Sequence, residues 1–258
     1  MPDLGRGLLP LTAFRRAPTF LRIAIGLTVL ALVWAVVNGI VQVIRKPTEF
    51  FLPLSGSLYK TPSETWEAYA HLFRRHATPV MTPELLAALA QVEATGNPVA
   101  RTYWRWSWSS NPFEIYRPAS SAVGMYQITD GTFEQAKRYC IHAHEVVEAG
   151  PWHDWRSCWF SELYFRVLPS HAIELTSAFL HHSVSATLAR HRIRGATQAQ
   201  KQRLAVLTHL CGVGAANRSL RRDLAVPPGL RCGDHAVGGY LARVEAMRRK
   251  FAALATRA

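Results

Sequence analysis

The first clear pattern along the chain is an apolar run. Residues 23–44 carry no charge, and only Thr28, Asn38 and Gln42 among them are clearly polar. A helix rising about 1.5 Å per residue over that length crosses the roughly 30 Å hydrocarbon core of a bilayer. The run is too long for a signal-peptide core and no small-x-small cleavage site follows it, so the pattern predicts an uncleaved anchor. Pro47, Pro53, Ser55, Gly56, Ser57 and Pro62 then break the chain into a linker over 45–62. From residue 63 helical periodicity takes over. Residues 64–75 place Trp66, Tyr69, Ala70 and Phe73 on one stripe, and 204–210 and 240–254 are similarly amphipathic. Strand-like alternation occurs only over 103–108, with Trp104, Trp106 and Trp108 on one side. The expected fold is a mainly α domain over 63–258, with room for one short hairpin, preceded by a single transmembrane helix.

Charge orients this arrangement. Arg6, Arg15, Arg16 and Arg22 precede the apolar run, whereas only Arg45 and Lys46 follow it closely. The positive-inside rule leaves 1–22 in the cytoplasm and exports the rest, with Trp34 at mid-span rather than at an interface. The net charge of +13 resembles a nucleic-acid signal until it is located. Residues 1–46 carry +5, residues 47–185 carry −3 and residues 186–258 carry +11. No DNA-binding signature accompanies the basic last third, so a solvated basic face able to concentrate an anionic polymer is the better account, and no nucleic-acid partner is expected.

The cysteines agree with export. Cys140, Cys158, Cys211 and Cys232 all lie after the apolar run. An even count in an exported domain favours two disulfides, although four cysteines allow three connectivities. Nearest-neighbour pairing, Cys140–Cys158 and Cys211–Cys232, is expected, each bridge closing a short loop worth about 3 kcal/mol in the chain-entropy model. Neither a Cys-x-x-Cys pair nor a His-Glu-x-x-His motif occurs, so neither a metal nor another cofactor is expected. His142, His144, His181 and His182 read as surface or capping residues.

One segment carries chemistry. Thr82 suits an N-cap, Pro83 the first helical position and Glu84 the helix N-terminus, and the helix Pro83–Ala94 should stop at Gly96. Leu86, Leu89, Ala90 and Glu93 then share a face, with Glu93 in the last turn. Burial and the negative end of the helix dipole both disfavour a carboxylate there, so a raised pKa is expected. A carboxyl kept protonated near neutrality is what glycosidic-bond cleavage uses.

Glu93-Ala94-Thr95-Gly96-Asn97-Pro98 resembles the catalytic Glu-Ser-x-Gly motif of Slt-type lytic transglycosylases. Ser121-Ala122-Val123-Gly124-Met125-Tyr126-Gln127-Ile128, with Thr132 and Phe133 opening a helix after it, resembles that family's Gly-Leu-Met-Gln motif. His209-Leu210-Cys211-Gly212-Val213-Gly214 is similar to its Ala-Tyr-Asn-x-Gly turn, and Tyr240-Leu241-Ala242-Arg243-Val244 to its closing Tyr-Val-x-x-Val helix. The four stretches stand in the family's order over roughly residues 80–250. Two positions depart from it. Ala94 replaces the small hydroxyl residue, with Thr95 next as a stand-in, and His209-Leu210 replaces the Tyr-Asn pair.

The resemblance implies a lysozyme-like domain of the goose-type or Slt-like kind, held at a bacterial inner membrane with its catalytic part in the periplasm. It implies that Glu93 alone serves as acid and base, cleaving the bond between N-acetylmuramic acid and N-acetylglucosamine and leaving an anhydromuramoyl end. Gln127 and the backbone at Gly124 and Met125 would hold the sugar, with Thr95 and His209 contributing hydrogen bonds. Trp104, Trp106, Trp108 and Tyr116 would either stack on pyranose faces or pack a core. The implied partner is a peptidoglycan glycan strand, and an envelope or secretion-machine partner stays open. Two alternatives remain at this point. One is a lysozyme-like hydrolase, which needs a second carboxylate such as Glu114, Asp130 or Glu134. The other is a catalytically silent, membrane-anchored cell-wall-binding component.

Overall fold

The computed structural model describes residues 17–51, 56–220 and 229–257. Most of the expected cytoplasmic tip and part of the linker, residues 52–55, lie outside them. The chain is mainly helical, with seven α-helices and a few short strands among the described residues. It divides into two compact units, one formed by Met1–Glu49 with Trp104–Pro118, the other by Phe50–Tyr103 with Ala119–Ala258.

In the first unit, helix α1 (Thr19–Arg45) contains the apolar run and extends it at both ends. Its most apolar 18-residue window has a mean hydropathy of 2.4 and none of it is buried, so α1 is long and apolar enough to cross a membrane. The aromatic stretch forms a small antiparallel hairpin, β1 (Trp104–Trp106) with β2 (Tyr116–Pro118), in which Trp106 faces Tyr116. The strand is shorter than the expected 103–108. Asn111 accepts the Phe113 amide at 3.0 Å and starts the one-turn 3₁₀ segment Pro112–Glu114, which consumes the residues between the strands. Trp108 is left beyond the strand, fully exposed.

The second unit is built around a central helix. Helix α2 (Pro62–Arg75) begins at a capping box in which Thr61 and Glu64 satisfy each other's backbone amides, and it buries Trp66, Ala70 and Phe73 as its stripe predicts. Helix α3 has the expected bounds, Pro83–Ala94, because Pro83 pre-sets its first φ and the chain turns left-handed at Thr95 and Gly96. Thr82 occupies the N-cap position without a side-chain cap; its hydroxyl instead meets the Gln202 amide at 3.5 Å. Leu85 through Gln91 are all buried, so α3 is covered on every side rather than on one face. Its alanines allow that close approach, and α2 and the last helix pack on it.

Helix α4 (Asp130–Ala136) follows, capped by Thr129 accepting from the Thr132 amide. Helices α5 (Pro169–Arg190) and α6 (Gln198–Leu220) pack together, and α6 is interrupted at Gly212, where φ 75° and ψ 166° leave the helical region. Helix α7 (Val237–Ala255) buries Val237, Tyr240, Val244 and Phe251 at helical spacing. Where one hairpin was expected there are three among the described residues. Strands β3 (Tyr139–His142) and β4 (Glu145–Glu148) are joined by Ala143 and His144, both at positive φ, and β5 (Arg231–Cys232) pairs with β6 (His235–Ala236). Both expected disulfides form. Cys140–Cys158 ties β3 to the segment before α5, and Cys211–Cys232 ties α6 at its interruption to β5.

Candidate active site

The C-terminal turn of α3 is held from several directions. Thr95, at φ 51°, sends its amide to the Gln91 carbonyl at 3.0 Å, and Gly96 sends its own to Ala90 at 3.1 Å, closing the helix. A side chain at Gly96 would place its Cβ 2.2 Å from Thr65 Oγ1, so only glycine fits. Gln91 accepts the Thr65 hydroxyl at 2.7 Å and donates to the Lys60 carbonyl at 2.9 Å. The residues on either side of Glu93 are thereby fixed, and its carboxyl is directed into a cavity of about 540 Å³.

Three groups from distant parts of the chain act on that carboxyl. Tyr240, in the first turn of α7, donates its hydroxyl to Glu93 Oε1. His209, three residues before the interruption of α6, places Nε2 3.4 Å from the same oxygen. His235, between β5 and α7, lines the wall. The Cys211–Cys232 bridge links the strand before His235 and Tyr240 to the turn after His209, so it connects the two segments that touch Glu93.

These neighbours overturn the expected direction of the Glu93 pKa. Burial pushes the carboxyl up, as expected. The hydrogen bond and charge of His209 and the hydrogen bond from Tyr240, with a smaller pull from His235, outweigh it, and the net shift is downward. The Tyr240 hydroxyl moves the opposite way: burial and the Glu93 charge push it far above the ordinary tyrosine range, so it stays a donor.

Gln127 also lines the cavity, at the end of the turn that begins with Gly124. That turn is tight. Gly124 has φ 77°, and a Cβ on it would lie 2.4 Å from the Arg166 carbonyl oxygen. Gln127, itself at φ 48°, donates from Nε2 to the Gly124 carbonyl at 2.9 Å. Met125 and Tyr126 between them point into the core, with Tyr126 donating to the Leu86 carbonyl at 3.1 Å. Of the residues singled out in the sequence, Glu93, Gln127 and His209 therefore share one cavity. Met125 packs in the core behind the turn, Gly124 permits its close approach to Arg166, and Thr95 ends α3. Trp104, Trp106 and Tyr116 belong to the unit that contains α1.

Tyr240 and His235 were not singled out as site residues. The resemblance of the stretch at Tyr240 to a closing-helix motif was the available signal for the tyrosine; nothing in the sequence marked His235. The remaining wall supplies the hydroxyls of Thr129 and Thr132 beside Phe179 and Leu210. Among the described residues that line the cavity, Glu93 is the one carboxylate. Asp130 is paired with Arg166 at 2.7 Å, Glu134 with Lys137 at 3.0 Å, and Glu114 belongs to the other unit. No family model, curated protein or solved structure matches the chain.

Proposed function

We propose that this protein is a peptidoglycan lytic transglycosylase with a lysozyme-like catalytic domain, anchored by α1 in a bacterial inner membrane and acting in the periplasm. The observation that carries the reading is a single cavity carboxylate, Glu93, gripped by two donors at the end of a rigid helix, with no second acid lining the cavity among the described residues. A hydrolase that activates water commonly uses a partner carboxylate across the cleft. A transglycosylase uses one group twice. Glu93 acts from its protonated form, which its lowered pKa favours only towards acidic pH, and gives that proton to the glycosidic oxygen as the bond to the muramoyl C1 breaks. The same carboxylate then takes the proton of the C6 hydroxyl as that oxygen closes on C1. The proton count is restored, no water is consumed and an anhydro end remains. Tyr240 and His209 stabilise the carboxylate between the two transfers, and Gln127 offers its amide to the sugar.

The test is mass spectrometry of fragments released from purified sacculi by the full-length protein. Anhydromuramoyl ends are expected; reducing ends would favour the hydrolase, and binding without release would favour a silent wall-binding component. The anchor reading has its own check. A periplasm-dependent reporter fused after Ala258 should be active with Met1 retained, and a processed N-terminus near residue 40 would overturn it.

The two disulfides separate by position. Serine in place of both Cys211 and Cys232 should lower activity more than the same change at Cys140 and Cys158. Each bridge constrains a loop of similar length, worth about 3 kcal/mol, but only the former connects the segments that touch Glu93. Activity and melting temperature measured on both variants check this, and equal activity losses would count against it.

A further inference from the structure

Most of the α1 surface is exposed, yet Asn38 and Gln42 are only 2% and 4% exposed. The hairpin Trp104–Pro118 of the same unit covers them. Asn38 Nδ2 donates to the Tyr116 carbonyl at 2.8 Å, and Gln42 Nε2 to the Phe113 carbonyl at 2.6 Å. Two turns before Gln42, the Trp34 indole donates to the Pro112 carbonyl at 3.3 Å and its ring stacks on Trp106, the centroids 6.3 Å apart. Trp34, Asn38 and Gln42 form one face, and their contacts occupy about 12 Å of helix axis at 1.5 Å per residue.

The following step rests on the reading of α1 as a membrane anchor. Arg22 is the last charge before the apolar run. A hydrocarbon core of roughly 30 Å takes about twenty helical residues, which sets its outer boundary near Gln42. Trp34 then lies about 12 Å inside that boundary, and whatever touches it lies inside as well. We propose that the hairpin Trp104–Pro118 is a second membrane element, seated in the outer leaflet of the bilayer that α1 crosses and docked there by Trp34, Asn38 and Gln42.

The chemistry of the hairpin suits that position. Backbone carbonyls in hydrocarbon need donors from the protein. Those of Pro112, Phe113 and Tyr116 receive them from α1, and that of Ile115 receives the Ser107 amide at 2.8 Å. Trp106 is 69% exposed and Trp108 fully so, which leaves two large indole surfaces free to face lipid. Arg105 stands directly across from Arg117 in the hairpin. Two like charges in register repel each other in water. Beside a leaflet their long side chains reach the anionic lipid phosphates, which neutralise both.

The test uses the full chain reconstituted in vesicles of phosphatidylethanolamine and phosphatidylglycerol. The photo-crosslinker benzoylphenylalanine replaces, in separate preparations, Leu30 within α1, Trp108 in the hairpin and the exposed Trp152 in the other unit. Lipid adducts are read by mass spectrometry after irradiation. Adducts are expected at Leu30 and Trp108, with their loss at Trp152. The double change Asn38→Leu, Gln42→Leu should reduce the Trp108 adduct about fivefold or more, as expected for loss of two hydrogen bonds. Adducts at Leu30 without adducts at Trp108 overturn the proposal and leave the anchor reading standing. Adducts absent at Leu30 overturn both. Equal labelling at Trp108 and Trp152, or Trp108 labelling unchanged by the double substitution, overturns the role given to the hairpin.

Discussion

Replacing Glu93 by glutamine is expected to abolish measurable release of anhydromuropeptides while the protein stays folded. The amide keeps the shape of the side chain and can still accept the Tyr240 hydroxyl, so the contact that ties α7 to the end of α3 survives. It cannot release or take up a proton. General acid–base catalysis commonly contributes about 10²–10⁴-fold, and here one group is asked to act in both directions. Three controls sharpen the result. Glu114→Gln, Asp130→Asn and Glu134→Gln remove carboxylates that do not line the cavity. Asp130 and Glu134 are exposed partners of Arg166 and Lys137, and surface pairs of this kind contribute about 0–1 kcal/mol. Small changes in stability and near-normal turnover are therefore expected in all three. Retention of more than about a tenth of wild-type activity by Glu93→Gln would place the acid elsewhere. A loss at Asp130→Asn as deep as that at Glu93→Gln would favour a two-carboxylate hydrolase. Circular dichroism and sacculus binding serve as the folding controls.

What the sequence made legible follows the range of the interactions involved. Helix α3 could be bounded to the residue because its signals are local: a proline at the start, and Thr95-Gly96 turning left-handed at the end. The disulfide pairing was legible because each bridge spans a short stretch of chain, 18 and 21 residues. The hairpin β3–β4 was not. Its two-residue turn is Ala143-His144, and both residues adopt positive φ without the glycine or asparagine that usually marks such a turn. The covering of Asn38 and Gln42 was hidden for a different reason: the donors are in α1 and the acceptors are backbone carbonyls of the distant hairpin, which no side-chain pattern encodes.

The site shows the same division. Glu93 was legible as a carboxyl at a helix end on an apolar face, and those two local features argue for a raised pKa. The groups that reverse the shift come from far away; Tyr240 is 147 residues distant in sequence. Burial is the largest single influence, and only the hydrogen bonds and charges of these groups acting together outweigh it. Only the folded arrangement of α3, the interrupted α6 and α7 brings them together.

His209→Asn is expected to shift the pH dependence of catalysis, and the direction follows from the causes of the Glu93 shift. In the wild type, burial raises the carboxyl pKa while His209 and Tyr240 lower it, and lowering prevails. Asparagine removes the charge and the imidazole donor but leaves the burial, so the Glu93 pKa must rise. The alkaline limb of kcat/KM reports loss of the proton from the essential acid in the free enzyme. That limb should therefore move to higher pH in the variant. Near the wild-type optimum the variant should lose on the order of tenfold, the usual consequence of deleting a hydrogen bond to a charged group. The ratio of variant to wild-type activity should then climb as the pH is raised. Stability gives an independent reading of the same group. A carboxyl whose folded pKa is lowered contributes stability above the ordinary glutamate value of 4.5, and that contribution fades as the pH falls through the folded value. The difference in melting temperature between wild type and variant should accordingly shrink on acidification below that range. An alkaline limb that stays in place, with a melting difference independent of pH, would mean that His209 acts on the shape of the cavity and not on the charge of Glu93.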